Sequence, residues 1–177
     1  MGGFSAEIVV SERAQYLTPM QNIQAQLAQC GIDLQLRVVD HSTMHTLIRQ
    51  GSNLMVLYVA WRPNADAFLT RFFHSDTTII TGTAPDTNFT HFGTTDLDGD
   101  GEVDGVDDLI EAARISLDTD EQAQLWQEAQ VEILEWMVGY PLFISSFAYA
   151  HNPDVDFGYD LQSTLALYPQ ITESTSK

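Results

Sequence analysis

Over residues 7–60 the spacing of apolar residues switches back and forth between the strand and the helix period, and few folds accept that pattern. Glu7 to Val10 is a short β-prone run. Thr18-Pro19 then reads as a helix cap with proline at the first helical position, and Met20, Ile23 and Leu27 recur at the helical period until Gly31. Ile32 to Val38 alternates at the strand period. Ser42 is positioned to cap a second helix carrying Met44, Leu47 and Ile48 on one face, ended by Gly51. The nearly continuous apolar run Leu54 to Ala60 suits a strand buried on both faces. Strands alternating with helices predict an α/β fold, a mixed sheet covered by helices and linked by right-handed crossovers.

Beyond residue 60 the same reading predicts a short helix over Ala65 to Phe73, then polar loop from His74 to Thr95. Val106, Leu109, Ile110 and Ala113 mark another helical face. Asp118 and Glu121 make a capping box for a longer helix through Met137, with Trp126, Ala129, Ile133 and Met137 along its buried stripe. Pro141 breaks that helix, Leu142 to Tyr149 reads as a further strand, and residues 169–177 as a loose tail. With 177 residues and 44% hydrophobic content the chain supports one core of ordinary size, so residues 1–177 are read as a single domain.

Charge removes whole classes of partner. Lys and Arg number 7 against 25 Asp and Glu, a net charge of -18, so phosphate backbones and anionic membrane surfaces are repelled and nucleic acid is excluded. Adaptation to a saline setting, simple solubility or a specific cationic partner would each account for such a balance, which selects no ligand. The lone Cys30 forms no intrachain disulfide and reads as a small core residue. No run approaches the ~18 apolar residues of a membrane span. Met1-Gly2-Gly3-Phe4 lacks the regions of a signal peptide, as in a cytoplasmic protein or in a mature fragment without its export signal.

Residues 96–107, Asp-Leu-Asp-Gly-Asp-Gly-Glu-Val-Asp-Gly-Val-Asp, have the spacing of a calcium loop. Asp96, Asp98, Asp100, the backbone carbonyl of Glu102, Asp104 (directly or through water) and Asp107 stand at loop positions 1, 3, 5, 7, 9 and 12, with Gly101 at the sharp turn. Position 12 is aspartate rather than glutamate, as in dockerin-type loops, and the shorter arm weakens the site. Seven carboxylates between Asp96 and Asp108 repel one another without a cation. A structural Ca2+ is therefore expected, adequate at extracellular concentrations and worth ~1–3 kcal/mol of stability.

Nucleophilic and hydrolytic chemistry find no support. His41 and His45 are four residues apart, yet no glutamate follows His41 as a zinc hydrolase helix requires. His74, His91 and His151 read as loop or surface residues, no serine sits in a nucleophile elbow, and Asn88-Phe89-Thr90 is a glycosylation triplet by pattern alone. The chain is read as not an enzyme.

Three blocks in order resemble the C-terminal lobe of the family-5 extracytoplasmic solute-binding proteins, the dipeptide, oligopeptide and nickel binders of ABC importers. The first is Ile23 to Leu34, similar to the family's helix-Gly-Ile-strand signature, followed by the apolar strand ending in Trp61. The second, Asp108 to Arg114 leading into Gln124 to Gln130, resembles its paired C-terminal helices, and the third, Tyr140-Pro141-Leu142-Phe143, its proline-containing approach to a strand. The resemblance covers nearly the whole chain and implies one lobe of a type II periplasmic-binding-protein-like fold, with loop 96–107 as an addition. It implies a peptide or other small solute held between this lobe and the N-terminal lobe of the same parent protein, then delivered to an ABC permease in the membrane by hinge closure. It also implies a periplasmic or extracellular setting, a cell-surface lipoprotein included. Trp61, Arg62, Asn64 and Asp66 are the implied solute contacts. Peptide-binding members carry an acid after the strand tryptophan, to pair with the ligand's α-amino group. Here Asn64 falls about where that acid stands, Asp66 matches a later position, and Arg62 is suited to a carboxylate or hydroxyl-rich solute. The other functional class is a dockerin-type, calcium-dependent interaction module, a fold that uses two such loops where this chain has one.

Overall fold

The computed structural model describes residues 3–144, 152–158 and 175–176. Two strands, β1 (Phe4–Ser11) and β2 (Ile32–Val39), pair in parallel from Phe4↔Ile32 to Ser11↔Val39, joined by helix α1 (Ala14–Gln29). Helix α2 (His41–Arg49) follows β2. One core forms where these faces meet: Ile8, Val9, Val10 and Leu34 from the strands, Tyr16 and Met20 from α1, Met44 and Ile48 from α2. The sheet and helix periods therefore converge on one apolar surface, as the alternating pattern requires.

β1 is longer at both ends than the run Glu7 to Val10, and the reading differs from the structure elsewhere in this half. Helix α1 begins at Ala14, not after Thr18, and carries Pro19 inside it. Burial of Tyr16, whose hydroxyl is hydrogen-bonded to the backbone of Val59, draws the preceding turn into the helix and offsets the cost of the missing proline N–H. Helix α2 is capped by Asp40 instead of Ser42: the Asp40 carboxylate accepts from the backbone N–H of Ser42 at 3.1 Å and of Thr43 at 3.0 Å. The run Leu54 to Ala60 forms no strand, and Leu54 and Met55 are exposed. Just before it, the Asn53 side-chain amide takes both backbone groups of Val9, accepting from its N–H at 2.8 Å and donating to its C=O at 2.9 Å, in place of a strand neighbour there.

The second half packs helices. α3 (Ala65–Phe73) has the expected bounds, a 3-10 turn covers Ser75–Thr77, and α4 (Asp107–Ile115) and α5 (Thr119–Glu135) follow. Leu69, Phe73, Phe92, Val106, Ile110, Ala129 and Ile133 form a second core. Met137 lies outside it, 68% exposed and left-handed (φ 55°) just past the end of α5. Asp118 caps α5 by accepting from the N–H groups of Asp120 and Glu121, but Glu121 turns to the Ser116 hydroxyl at 2.6 Å, so the box is one-sided. Cys30, expected in the core, is exposed at the C-cap of α1. His74, expected on the surface, is buried beside Glu111 and Asp107. The strand read over 142–149 falls largely outside the described residues, with no strand at 142–144, and His151 and most of the 169–177 tail also lie outside them.

The polar segment between α3 and α4 is held from within. Buried Asn88 donates to the carbonyls of His74 (3.1 Å) and Phe92 (3.0 Å) and accepts from the Thr90 N–H (3.1 Å) and hydroxyl (2.8 Å). A glycan on Asn88 is incompatible with that burial, so the triplet is structural. Asn88→Ala is expected to cost about 2–3 kcal/mol in denaturant unfolding, because buried acceptors lose their donor. A loss under about 0.5 kcal/mol would show that the segment is not held by this amide.

Candidate functional site

Trp61 and Arg62 lie in the turn between the apolar run and α3, both partly buried. The Arg62 guanidinium stacks on Phe72 with its Cζ 5.4 Å from the ring centroid, and one Nη donates to the Trp61 carbonyl at 2.8 Å. Its Nε is buried and has no hydrogen-bond partner. The two acids or near-acids expected next to it are committed elsewhere. Asn64 caps α3, accepting from the Ala67 N–H at 2.8 Å, and Asp66 accepts from Arg114 Nε at 2.7 Å and from the Thr70 hydroxyl at 2.9 Å.

A continuous run of rings leads from this turn to the carboxyl ends of the strands. Arg62 stacks on Phe72; Phe72 meets Tyr58 at 5.4 Å, Tyr58 meets His45 at 5.6 Å, His45 meets His41 at 4.6 Å, and His41 meets Tyr16 at 5.2 Å between centroids. The carboxyl ends of parallel strands are the usual ligand face of an α/β sheet, and His41 stands two residues beyond the end of β2. Sequence reasoning missed this face. Its readable signal was the i, i+4 histidine pair following a strand.

Burial, then Arg13, holds the His41 imidazole below its ordinary value; burial, then His41, Arg49 and Arg13, does the same for His45. The Ser42 and Thr43 hydroxyl and backbone contacts keep the Asp40 carboxyl well below the usual carboxylate range.

The acidic loop is built as a closed turn. Asp96, Asp98 and Asp104 each place a carboxylate oxygen within 4.8 Å of the others'. Gly101 adopts φ 101°, which only glycine adopts without strain. Backbone N–H groups point inward: those of Gly99 and Gly101 donate to Asp96 at 2.6 and 3.0 Å, and that of Leu97 to Asp104 at 2.7 Å. The loop base is closed by the Gly93 N–H donating to the Asp104 carbonyl at 2.7 Å. Glycine at 105 permits the approach, since a Cβ there would lie 2.8 Å from the Gly93 Cα. Asp100 lies outside the trio, accepting from the Glu102 N–H at 2.8 Å. Asp107 is turned to the other side and accepts from the Ser75 N–H at 3.0 Å. Carboxylate oxygens at this spacing suit a hard cation with oxygen ligands.

No protein-family model matches the chain, and no curated protein does. Solved structures do. The PBP/SBP MoaA of A. tumefaciens R10, in complex with mannopinic acid, is 31% identical with a TM-score of 0.77; the match covers 98% of this chain and 33% of that one. HbpA2 of Haemophilus parasuis is 26% identical, with a TM-score of 0.56 over 76% of this chain and 25% of that one. The ABC transporter-associated periplasmic binding protein DppA of Helicobacter pylori, in complex with the peptide STSA, shares the fold at 22% identity and a TM-score of 0.59, over 77% of this chain and 25% of its own. The chain thus spans about a third or less of these relatives' length. It has the α/β architecture of periplasmic binding proteins. Among the described residues no helix is long and apolar enough to cross a membrane.

Proposed function

We propose that this chain is one lobe of the substrate-binding component of an ABC importer, and that its solute carries an acidic group received by Arg62 beside Trp61. The observation that carries the reading is the Arg62 guanidinium: stacked, partly buried, with a buried Nε that has no acceptor. An unpaired buried donor costs about 1–3 kcal/mol, which a ligand oxygen recovers. A peptide's α-amino group is served less well, since Asn64 is neutral and Asp66 is held by Arg114. An acidic solute also agrees with the mannopinic acid bound by a relative 31% identical to this chain. In this reading the other lobe closes on the solute, and the assembled protein presents it to a permease. Loop 96–107 carries one structural Ca2+ on Asp96, Asp98 and Asp104, with Asp100 and the Glu102 carbonyl completing the set and Asp107, the remaining expected ligand, joining only if it leaves the Ser75 N–H; the ion's role is to fix the N-terminal end of α4.

The test is calorimetry of the full-length protein with mannopinic acid and a panel of amino-acid and sugar acids, before and after Arg62→Gln. The variant is expected to bind the preferred acid about 30-fold or more weakly, the effect of losing a charge-assisted hydrogen bond, with an unchanged or higher Tm. Equal affinity in both proteins would exclude Arg62 as the acid receptor. A retained ligand without an acidic group, seen by native mass spectrometry, would overturn the solute class.

A further inference from the structure

The histidine pair on α2 belongs to no part of that account. His41 and His45 face each other with Nε2 atoms 3.2 Å apart, at the carboxyl end of the β1–β2 pair. The Arg49 Nη1, always a donor, lies 3.4 Å from His45 Nδ1, and the Ser11 hydroxyl oxygen 3.1 Å from His41 Nδ1. One hydrogen arrangement gives each contact a donor and an acceptor: Arg49 donates to His45 Nδ1, His45 Nε2–H donates to His41 Nε2, and His41 Nδ1–H donates to Ser11 Oγ. Both rings are then neutral and share a single hydrogen between their Nε2 atoms. No lone pair remains for a metal ion, and Arg49 and Arg13 repel a cation here.

We propose that His41 and His45, with Arg13 beside them, form a second receiving point for an acidic solute: a carboxylate oxygen enters between the two Nε2 atoms as the pair takes up one proton from solvent. Each Nε2 then carries a hydrogen, the Nε2–H···Nε2 bond breaks, and both N–H groups donate to the incoming oxygen. The positive charge gained offsets the negative charge brought in, so pair and solute arrive at neutrality together. Surrounding groups permit this. Arg13 acts on both rings as a positive charge that opposes the extra proton but attracts the incoming carboxylate. Asp40, engaged with Ser42 and Thr43, and exposed Glu12 act on His41 as negative charges that favour its extra proton, and Tyr16 and Tyr58 close the pair in with their rings. The ring run places the pair on the same strip as Arg62, one station at each end.

This rests on the solute-binding reading above but has a separate readout. Because the free pair is neutral and the bound pair protonated, affinity strengthens as pH falls, by up to about tenfold per pH unit. Titrations of the full-length protein with mannopinic acid and the same acid panel, at pH 5.5 to 8 in phosphate and in Tris, measure the protons taken up. Wild type is expected to take up close to one proton near pH 7. His45→Gln and His41→Asn are expected to retain their fold by circular dichroism, bind the same acid about tenfold more weakly at pH 6, and show no proton uptake. PH-independent binding by wild type, or unchanged proton uptake in both variants, would overturn the histidine site and leave Arg62 standing. Binding of Zn2+ by wild type that is lost in both variants would replace it with a metal site. Failure of wild type to bind any acid at any pH would overturn the solute reading and this inference with it.

Discussion

Phe92→Ala is expected to destabilise the chain by about 3–5 kcal/mol, a fall in Tm of roughly 6–20 °C. The ring is fully buried among Leu69, Phe73, Val106 and Ile110, where α3, α4 and the acidic loop meet. What sets the upper end of that range is how little the surroundings can collapse. The Phe92 carbonyl receives the Asn88 amide at 3.0 Å, and its N–H donates to the Thr90 hydroxyl at 3.2 Å. Its neighbours His91 and Gly93 are both left-handed, at φ 59° and 86°, which fixes the direction of the backbone. With the chain pinned on either side of the ring, the cavity persists and lost contacts are not replaced. Leu117→Ala is the control: the side chain is fully exposed and its removal should change stability by under about 0.5 kcal/mol. Urea unfolding of both variants gives the comparison. A Phe92→Ala loss near that of Leu117→Ala would mean that the polar segment does not pack on α4 in solution.

The same contrast explains how much could be read without coordinates. Elements whose burial follows their own periodicity were legible: β2, the bounds of α3, and the buried face Val106, Ile110, Ala113 of α4. Failures occur where a distant group decides. Tyr16 reaches Val59 and so lengthens α1 past Pro19. The Asn53 amide satisfies Val9 where an adjacent strand would have, so the apolar run after it joins the core partly buried and without a ladder. His74 is drawn inward because its Nδ1 accepts the Asp76 N–H at 3.1 Å while Nε2 faces Glu111, a partnership spanning 37 residues. The candidate site divides in the same way. Trp61 and Arg62 were named through resemblance, but the occupation of Asn64 and Asp66 by a helix cap and by Arg114 is a tertiary fact. The histidine pair was visible as spacing, and its Nε2 contact and carboxyl-end position only as structure.

Calcium should raise the stability of this chain, and Asp98→Ala should remove that gain. In millimolar Ca2+ the wild type is expected to be about 1–3 kcal/mol more stable than in chelator. The physical basis is the trio Asp96, Asp98 and Asp104, whose oxygens converge within 4.8 Å while inward N–H groups of Leu97, Gly99 and Gly101 offset only part of their repulsion. Removing one ligand weakens the ion's hold, so Asp98→Ala should melt lower than wild type in calcium and about equally in chelator. Asp107 provides the internal contrast. Its carboxylate accepts from the Ser75 N–H at 3.0 Å and so ties the start of α4 to the turn after α3, a role that needs no ion. Asp107→Ala is therefore expected to lose about 1 kcal/mol in chelator as well, with any further loss in calcium measuring its share of the ion. Differential scanning fluorimetry of the three proteins, with calcium and with chelator, separates the two roles. Equal losses for Asp98→Ala in both conditions would remove the calcium site and leave the loop as a turn held by its own backbone donors. Matching profiles for Asp98→Ala and Asp107→Ala would instead place Asp107 in the ion's shell once calcium binds, turned away from Ser75.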